Sequence, residues 1–490
     1  MLVAGVDSST QSCKVVLCEA EDGTVVGRGS APHPEGTEAD PAAWWAALQQ
    51  AGDGLLQRAS AVGVAGQQHG MVVLDCDGEV IRPALLWNDL RSSAAAAELV
   101  GEMGGPSWWA GQTGSVPTAS FTVTKLRWLA QHEPGNAQRA AAVLLPHDWL
   151  TWRLLGGRGE RGAEPAPMVT DRGDASGTGY FSPASSEWLP DLVEAALGRP
   201  LPLPWVAGPA EVVGETSWGA AVSAGTGDNM GAALGLGLGP GDLAVSIGTS
   251  GTAFAVSDVP AADPSGAVAG FADATGRFLP LVCTINAALV LSATALLLGA
   301  GLDGLSALAL DAQPGADGIT LLPYLDGERT PDRPGATGVL RGLTTRNATP
   351  QNLSRASVEA VLASMADAAD RIAAACAVGA AGIPEAPGQV PGSQAGRVLL
   401  IGGGARSEAV RRIAPGIFGR PVSVPEPEEY VALGAARQAA WALARTPEPP
   451  PWPPRPAASY DGDPQPQIRE RHVALRDDTA TWKEGTGHEH

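Results

Sequence analysis

Hydrophobic and polar positions alternate over the first residues of the chain in the manner of strands. A run Leu2-Val3-Ala4-Gly5-Val6 leads into a polar stretch from Asp7 to Ser12, and Cys13-Lys14-Val15-Val16-Leu17-Cys18 follows. Two β-rich runs around a short turn of small polar residues predict a hairpin. The pattern returns far along the chain, where residues 243–247 lead into Gly248-Thr249-Ser250-Gly251-Thr252 and then residues 253–256. At a constant offset the hydrophobic positions of the two hairpins coincide, which predicts two related halves made by duplication of a whole domain, not a solenoid repeat. Further strand-like runs lie at 61–65, 143–145 and 397–401, and helix-like runs at 122–132 and 350–377. Thr349 before Pro350 reads as an N-cap followed by proline at the first helical position. The predicted fold class is mixed α/β.

Composition narrows the partners. The chain has 490 residues, 44% of them hydrophobic, so it is long enough for several closed cores. Its 52 acidic against 32 basic residues leave a formal charge of -20. That balance repels phosphate backbones and anionic lipid unless positive residues cluster, and no cluster occurs, so neither nucleic acid nor membrane is expected as a partner. The five cysteines are scattered without a Cys-x-x-Cys pair, which predicts a reducing, cytoplasmic setting and no disulfide framework. The start of the chain lacks a basic n-region. Residues 278–302 carry no charge, but Pro280, Asn286 and several small residues dilute the run, and a strand end followed by a buried core helix is expected there. Two stretches read as punctuation: a Gly- and Pro-rich loop at 379–396, and a polyproline-like connector at 446–456 before a loosely held charged tail.

Small polar hairpin turns suit phosphate, because backbone N–H groups and hydroxyls converge without a bulky side chain. The first turn adds Asp7, able to hold a divalent metal, and Lys14, able to meet a phosphate; the second has Gly248 where Asp7 would lie. Only one half offers an acid, which predicts one catalytic site. No Gly-Lys dipeptide occurs, excluding a P-loop. The glycines at 235, 237, 239 and 241 read as a helix end and turn, since no strand leads into them. At Gly225-Thr226-Gly227-Asp228-Asn229 a small-residue turn delivers an acid and an amide to a helix start. Asp228 there reads either as a cap for the first N–H groups or as a base that accepts a hydroxyl proton. Gly66-Gln67-Gln68-His69-Gly70 places an amide and an imidazole at a strand's carboxyl end, where open α/β sheets bind ligands. The loop 86–91 combines Trp87, Asn88, Asp89 and Arg91, a set suited to sugars or, equally, to a capped helix start. Three glycines at 402–404 pass from a strand towards a helix near Ser407 and permit close approach of a flat ligand.

In this order the segments resemble the FGGY family of carbohydrate kinases over residues 2–444, with Leu322-Pro323-Tyr324-Leu325-Asp326-Gly327-Glu328-Arg329-Thr330-Pro331 as a further match. The resemblance implies two ribonuclease H-like (actin-like ATPase) domains with an interdomain cleft: 1–240 binding sugar, 241–446 binding ATP, and 447–490 a Pro-rich and charged tail. It implies ATP- and Mg²⁺-dependent phosphorylation of a ketopentose, with D-xylulose giving D-xylulose 5-phosphate as the expected reaction and Asp228 as general base. Gln68, His69, Asp228 and Asn229 fall at sugar positions, Asp7 at the metal, Thr10, Lys14 and Thr249 at the phosphates, and Gly404 near the adenosine. This sequence has Ser9 where the family commonly has glycine, and Gln68 where it commonly has methionine. Ribulose, fuculose or gluconate as substrate, a catalytically silent sugar-binding protein and a chaperone-like ATPase stand as alternatives. A homodimer is an open expectation.

Overall fold

The computed structural model describes residues 1–159, 165–381 and 396–482. In chain order its principal strands are β1 (Leu2–Ser8), β2 (Ser12–Glu19), β3 (Val25–Pro32), β4 (Ala61–Gly66), β5 (Val212–Glu215), β6 (Ala221–Ser223), β7 (Thr226–Gly227), β8 (Leu243–Ile247), β9 (Gly251–Ala255), β10 (Phe278–Thr284), β11 (Val398–Ile401), β12 (Val422–Pro425) and β13 (Ala457–Tyr460). The helices used below are α1 (Thr122–His132), α2 (Pro146–Leu154), α3 (Arg172–Ala175), α4 (Asp228–Leu236), α5 (Ala288–Leu297), α6 (Pro350–Ala380), α7 (Glu408–Phe418), α8 (Tyr430–Ala444) and α9 (Pro466–Asp478). Two compact units form: residues 1–238, 259–279 and 428–454 make the first, and 239–258, 280–427 and 455–490 the second.

In the first unit the sheet runs β5-β6-β4-β1-β2-β3, with β7 also pairing β4. The expected hairpin is present: β1 and β2 pair antiparallel with Asp7 opposite Lys14. Strand β4 lies parallel to β1. Both strands are buried along nearly their whole length, as a central strand covered on both faces requires. One face packs Trp44, Leu48, Trp149 and Leu150, and the other receives α8 through Ala432, Leu433, Ala436 and Ala439.

Helix α8 lies backbone against backbone. A methyl built on Gly5 of β1 would sit 1.9 Å from the carbonyl oxygen of Ala432. One on Gly235 of α4 would sit 2.0 Å from that of Tyr430, and one on Gly434 of α8 would sit 1.8 Å from that of Gly231. Glycine is needed at these places for proximity, since any Cβ would force the elements apart. The proline-rich stretch is part of this packing as well. Trp452 donates its Nε1–H to the carbonyl of Ala20 at 3.0 Å and lies against Gly23, so the segment expected as a passive connector is anchored.

The second unit repeats the arrangement, its sheet running β10-β9-β8-β11-β12-β13. Here β8 and β9 form the second hairpin, and β11 lies parallel to β8 as β4 does to β1. The long helix α6 begins as expected, the Thr349 hydroxyl accepting the N–H of Asn352. Two expectations are corrected. Helix α5 buries only one side, through Val290, Leu291 and Ala295, while Leu296 and Leu297 are 81% and 79% exposed; absence of charge does not by itself cover a helix. The segment expected as a loose tail adds β13 to the sheet edge beside β12 and continues into α9, which buries Ile468, His472 and Leu475. Most of the 379–396 loop and the last eight residues lie outside the described residues. Among the described residues no single helix is long and apolar enough to cross a membrane.

The contact between α4 and α8 gives a stability test. Gly434→Ala forces overpacking and should lower unfolding free energy by about 1–3 kcal/mol. Gly101→Ala, in a helix with nothing within 4 Å of the added methyl, should be neutral or stabilising by about 1 kcal/mol or less. Urea melts of the two variants check the contrast.

Candidate active site

Three neighbouring strand ends build the site of the first unit. In β1 and β4 Asp7 pairs with Ala65 and Ser8 with Gly66; in β7 and β4 Thr226 pairs with Ala65 and Gly227 with Gly66. The parallel register therefore ends all three strands in one row. Asp7 stands on that row, Gln67, Gln68 and His69 leave it from β4, and Asp228 leaves it from β7 as the first residue of α4. This is the edge at which an open α/β sheet presents its ligand groups.

Asp228 does not act as an ordinary cap. Gly227 holds the N-cap position without a side-chain hydrogen bond. The Asp228 Oδ1 instead accepts from the N–H of Asn229 at 2.8 Å and from its side-chain amide at 2.9 Å. Burial pushes the Asp228 carboxyl up to about 7, the negative charge of Asp7 adding to the effect. Asp7 is itself 4% exposed and burial raises it to about 6, against the lowering effects of the Ser9 hydroxyl and of Lys14. Ser9 donates its hydroxyl hydrogen to Asp7 Oδ1. The Lys14 ammonium is paired with Glu429 at 2.6 Å.

Gln68 is buried, and its Nε2 has no hydrogen-bond partner among the described residues. The amide of Asn229 lies 3.4 Å from Gln68 Oε1. His69 adopts φ +68°, in the left-handed region that a non-glycine residue enters only when its surroundings hold it there. Its Nδ1 lies 2.5 Å from the carbonyl oxygen of Gly177, and its ring packs against Phe121 at 4.7 Å and Phe271 at 5.7 Å. Trp87 joins the first turn by donating Nε1–H to the Thr10 hydroxyl at 2.8 Å. Asp89, from the same loop, is spent on Thr37 and on the backbone and side chain of Arg91; it caps no helix, since the helix that follows starts at Ser93 with Ser92 at its N-cap and no side-chain cap bond.

The second unit brings Thr249 and Gly404 to one sheet edge. Ser246 of β8 pairs with Ile401 of β11, so the turns that follow these parallel strands emerge side by side. Thr249 is exposed. A methyl on Gly404 would meet the Ile247 side chain at 2.4 Å, and Gly402 has φ +86° with Ile247 backbone 2.8 Å from any Cβ. Glu328 of the 322–331 segment is 1% exposed and clamps the loop after β10, accepting from the N–H of Ile285 and from the amide of Asn286.

Sequence reasoning missed a buried group beneath the first unit's site: His147 of α2, Asp171 and Asp174. His147 Nδ1 lies 2.5 Å from Asp174 Oδ2. The repeated acids among small residues at 170–178 are the signal that could have flagged them, but each acid also fits a plain helix cap, as Asp171 does for Gly173 and Asp174.

The N-terminal domain model of the FGGY family of carbohydrate kinases matches residues 2–236, and the C-terminal domain model matches residues 243–443. The chain is 46% identical over 458 residues to a xylulose kinase of Streptomyces coelicolor, covering 90% of this chain and 88% of that one. It is 35% identical to a xylulose kinase of Escherichia coli, covering 91% and 90%. The crystal structure of xylulose kinase from Bifidobacterium adolescentis superposes with a TM-score of 0.88 at 43% identity, covering 97% of this chain and 99% of that one. With two actin-like sheets and both halves of the chain matched, this protein belongs to the FGGY family of carbohydrate kinases.

Proposed function

We propose that this kinase transfers the γ-phosphoryl group of ATP to the terminal hydroxyl of xylulose, giving xylulose 5-phosphate and ADP. The observation that carries the mechanism is Asp228: a carboxyl at a helix start, raised to about 7 by burial and by its neighbour Asp7. A base works best when its pKa lies near the working pH, because it is then largely ionised yet still basic enough to take a proton. The sugar hydroxyl donates its hydrogen to Asp228. As the new O–P bond forms and the bond to the ADP oxygen breaks, that proton passes to the Asp228 carboxyl. The Asn229 amide holds the carboxylate in place, and Gln68 Nε2, buried without a partner, is ready to donate to a sugar hydroxyl. An unsatisfied buried donor costs about 1–3 kcal/mol, which a sugar oxygen would restore on binding.

Phosphoryl transfer is mainly positioning and charge neutralisation. Asp7, a single carboxylate at a strand end with one oxygen accepting from Ser9, suits Mg²⁺, which takes one or two carboxylates together with phosphates and supplies positive charge at the triphosphate. In the proposal Thr10, Lys14 and Thr249 meet phosphates, and Gly404 lies by the nucleoside. Lys14 is held by Glu429, but both partners are more than a third exposed, and such pairs contribute about 0–1 kcal/mol. Exchange of Glu429 for a phosphate is therefore inexpensive.

Three outcomes follow. Asp228→Ala should lower kcat by about 10²–10⁴-fold while sugar affinity stays within a few-fold, checked by coupled ADP release and calorimetry. Since Asp228 serves only when ionised, kcat/KM for the sugar should fall about tenfold per pH unit below about 7 and level off above it. Lys14→Ala should raise the KM for ATP by roughly 10-fold or more, the loss of a charged hydrogen bond, and leave the sugar KM unchanged. The same assay across xylulose, ribulose, fuculose and gluconate tests the substrate; preference for any other sugar would overturn the xylulose reading.

A further inference from the structure

One short segment, residues 171–177, makes polar contact with the chain on both sides of the sugar site. Asp171 Oδ2 accepts the Thr226 hydroxyl at 2.9 Å, two residues before Asp228. Asp171 is itself oriented, because its oxygens also accept from the N–H groups of Gly173 at 2.9 Å and Asp174 at 2.8 Å. Asp174 Oδ2 meets His147 Nδ1 at 2.5 Å, and the other ring nitrogen of His147 lies 3.3 Å from the carbonyl oxygen of Ala224. Gly177 places its carbonyl oxygen 2.5 Å from His69 Nδ1.

Sterics confirm how tightly these pieces fit. A methyl on Gly225 would lie 2.5 Å from the His147 ring, and one on Gly177 would lie 3.0 Å from His69 Nδ1 and 3.1 Å from Gln68 Nε2. His147, Asp171, Asp174 and Thr226 are all buried at 3% exposure or less. A neutral imidazole has one N–H, so serving both Asp174 and Ala224 as donor requires the charged ring. Burial opposes that charge, but Asp148 and Asp174 outweigh it and lift His147 to about 10.

We infer that residues 171–177 act as a positioning platform with two separable arms, one aiming Asp228 through Thr226 and His147, the other setting Gln68 and His69 through Gly177. The inference rests on the reading of Asp228 as base and of Gln68 and His69 as sugar contacts. None of the platform residues needs to touch the substrate. Its signature is that the arms fail differently: misaiming the base removes transition-state stabilisation, whereas displacing the sugar contacts removes uniform binding.

The test uses the full chain and measures kcat, sugar KM and melting temperature. Thr226→Val keeps the shape and removes the hydroxyl; it should lower kcat by about tenfold or more, as a small misplacement of a catalytic group does, with sugar KM within about twofold. Thr226→Ser should restore turnover. Gly177→Ala should raise sugar KM by about fivefold or more, the cost of a disturbed hydrogen bond, with kcat nearly retained. Should Thr226→Val turn over normally, or should both variants change kcat and KM in parallel with a fall in melting temperature, the platform is overturned. Asp228→Ala assayed alongside separates the two levels. An active Asp228→Ala protein sinks the base assignment itself, and an inactive one beside a normal Thr226→Val sinks only the platform.

Discussion

A helix lying backbone to backbone on a sheet governs where the Asp228 carboxylate stands. Helix α8 reaches β1 at Gly5 and α4 at Gly235 with no side chain between, and α4 begins with Asp228. Because the contact is main chain on main chain, it has little freedom to relax; packed interiors transmit a shift of an ångström instead of absorbing it. The parallel register of β1, β4 and β7 then aligns Asp7, Gln68 and Asp228 at one edge. The position of Asp228 is thus a property of sheet and helix packing, while the loops contribute the groups around it.

Bringing two acids to one row in a site sheltered from water has an electrostatic consequence. Burial opposes the ionisation of both, the charge of Asp7 adding to the effect at Asp228 and that of Glu429 to the effect at Asp7. Asp228 and Asp7 accordingly lie near 7 and 6, far above ordinary aspartates. Ser9 and Lys14 moderate Asp7, whereas at Asp228 the moderating groups are neutral hydrogen-bond donors, Asn229 and the Asp228 backbone. In the proposed mechanism the more basic carboxylate takes the proton and the more readily ionised one holds the cation. The hairpin of the second unit has Gly248 where the first has Asp7.

Much of this was legible before any coordinates. Both hairpins announce themselves by short apolar, β-rich runs around small polar turns, and Asp228 stands out because a glycine-rich turn leads into a run of small residues with helical character. Other features were hidden for physical reasons. Gly434 and Gly235 look like weak helix positions, and only their approach to distant backbone explains them. Asp171 reads as a local cap, which it is; its second role depends on Thr226, 55 residues away. The edge strand Ala457–Tyr460 is short, with three small residues before its tyrosine, and α9 buries only Ile468, His472 and Leu475, too sparse a stripe to stand out among its charges. The charge-free run at 278–302 misled in the opposite direction, since Leu296 and Leu297 of α5 face water.

The central claim is that Asp228 is a carboxylate held near neutrality so that it can take a proton from a sugar hydroxyl. Carbon-13 NMR titration of aspartate-labelled protein measures this directly, the Asp228 resonance being assigned by its loss in Asp228→Asn. A midpoint near 7 is expected; a midpoint near the ordinary aspartate value of about 4 would contradict the account.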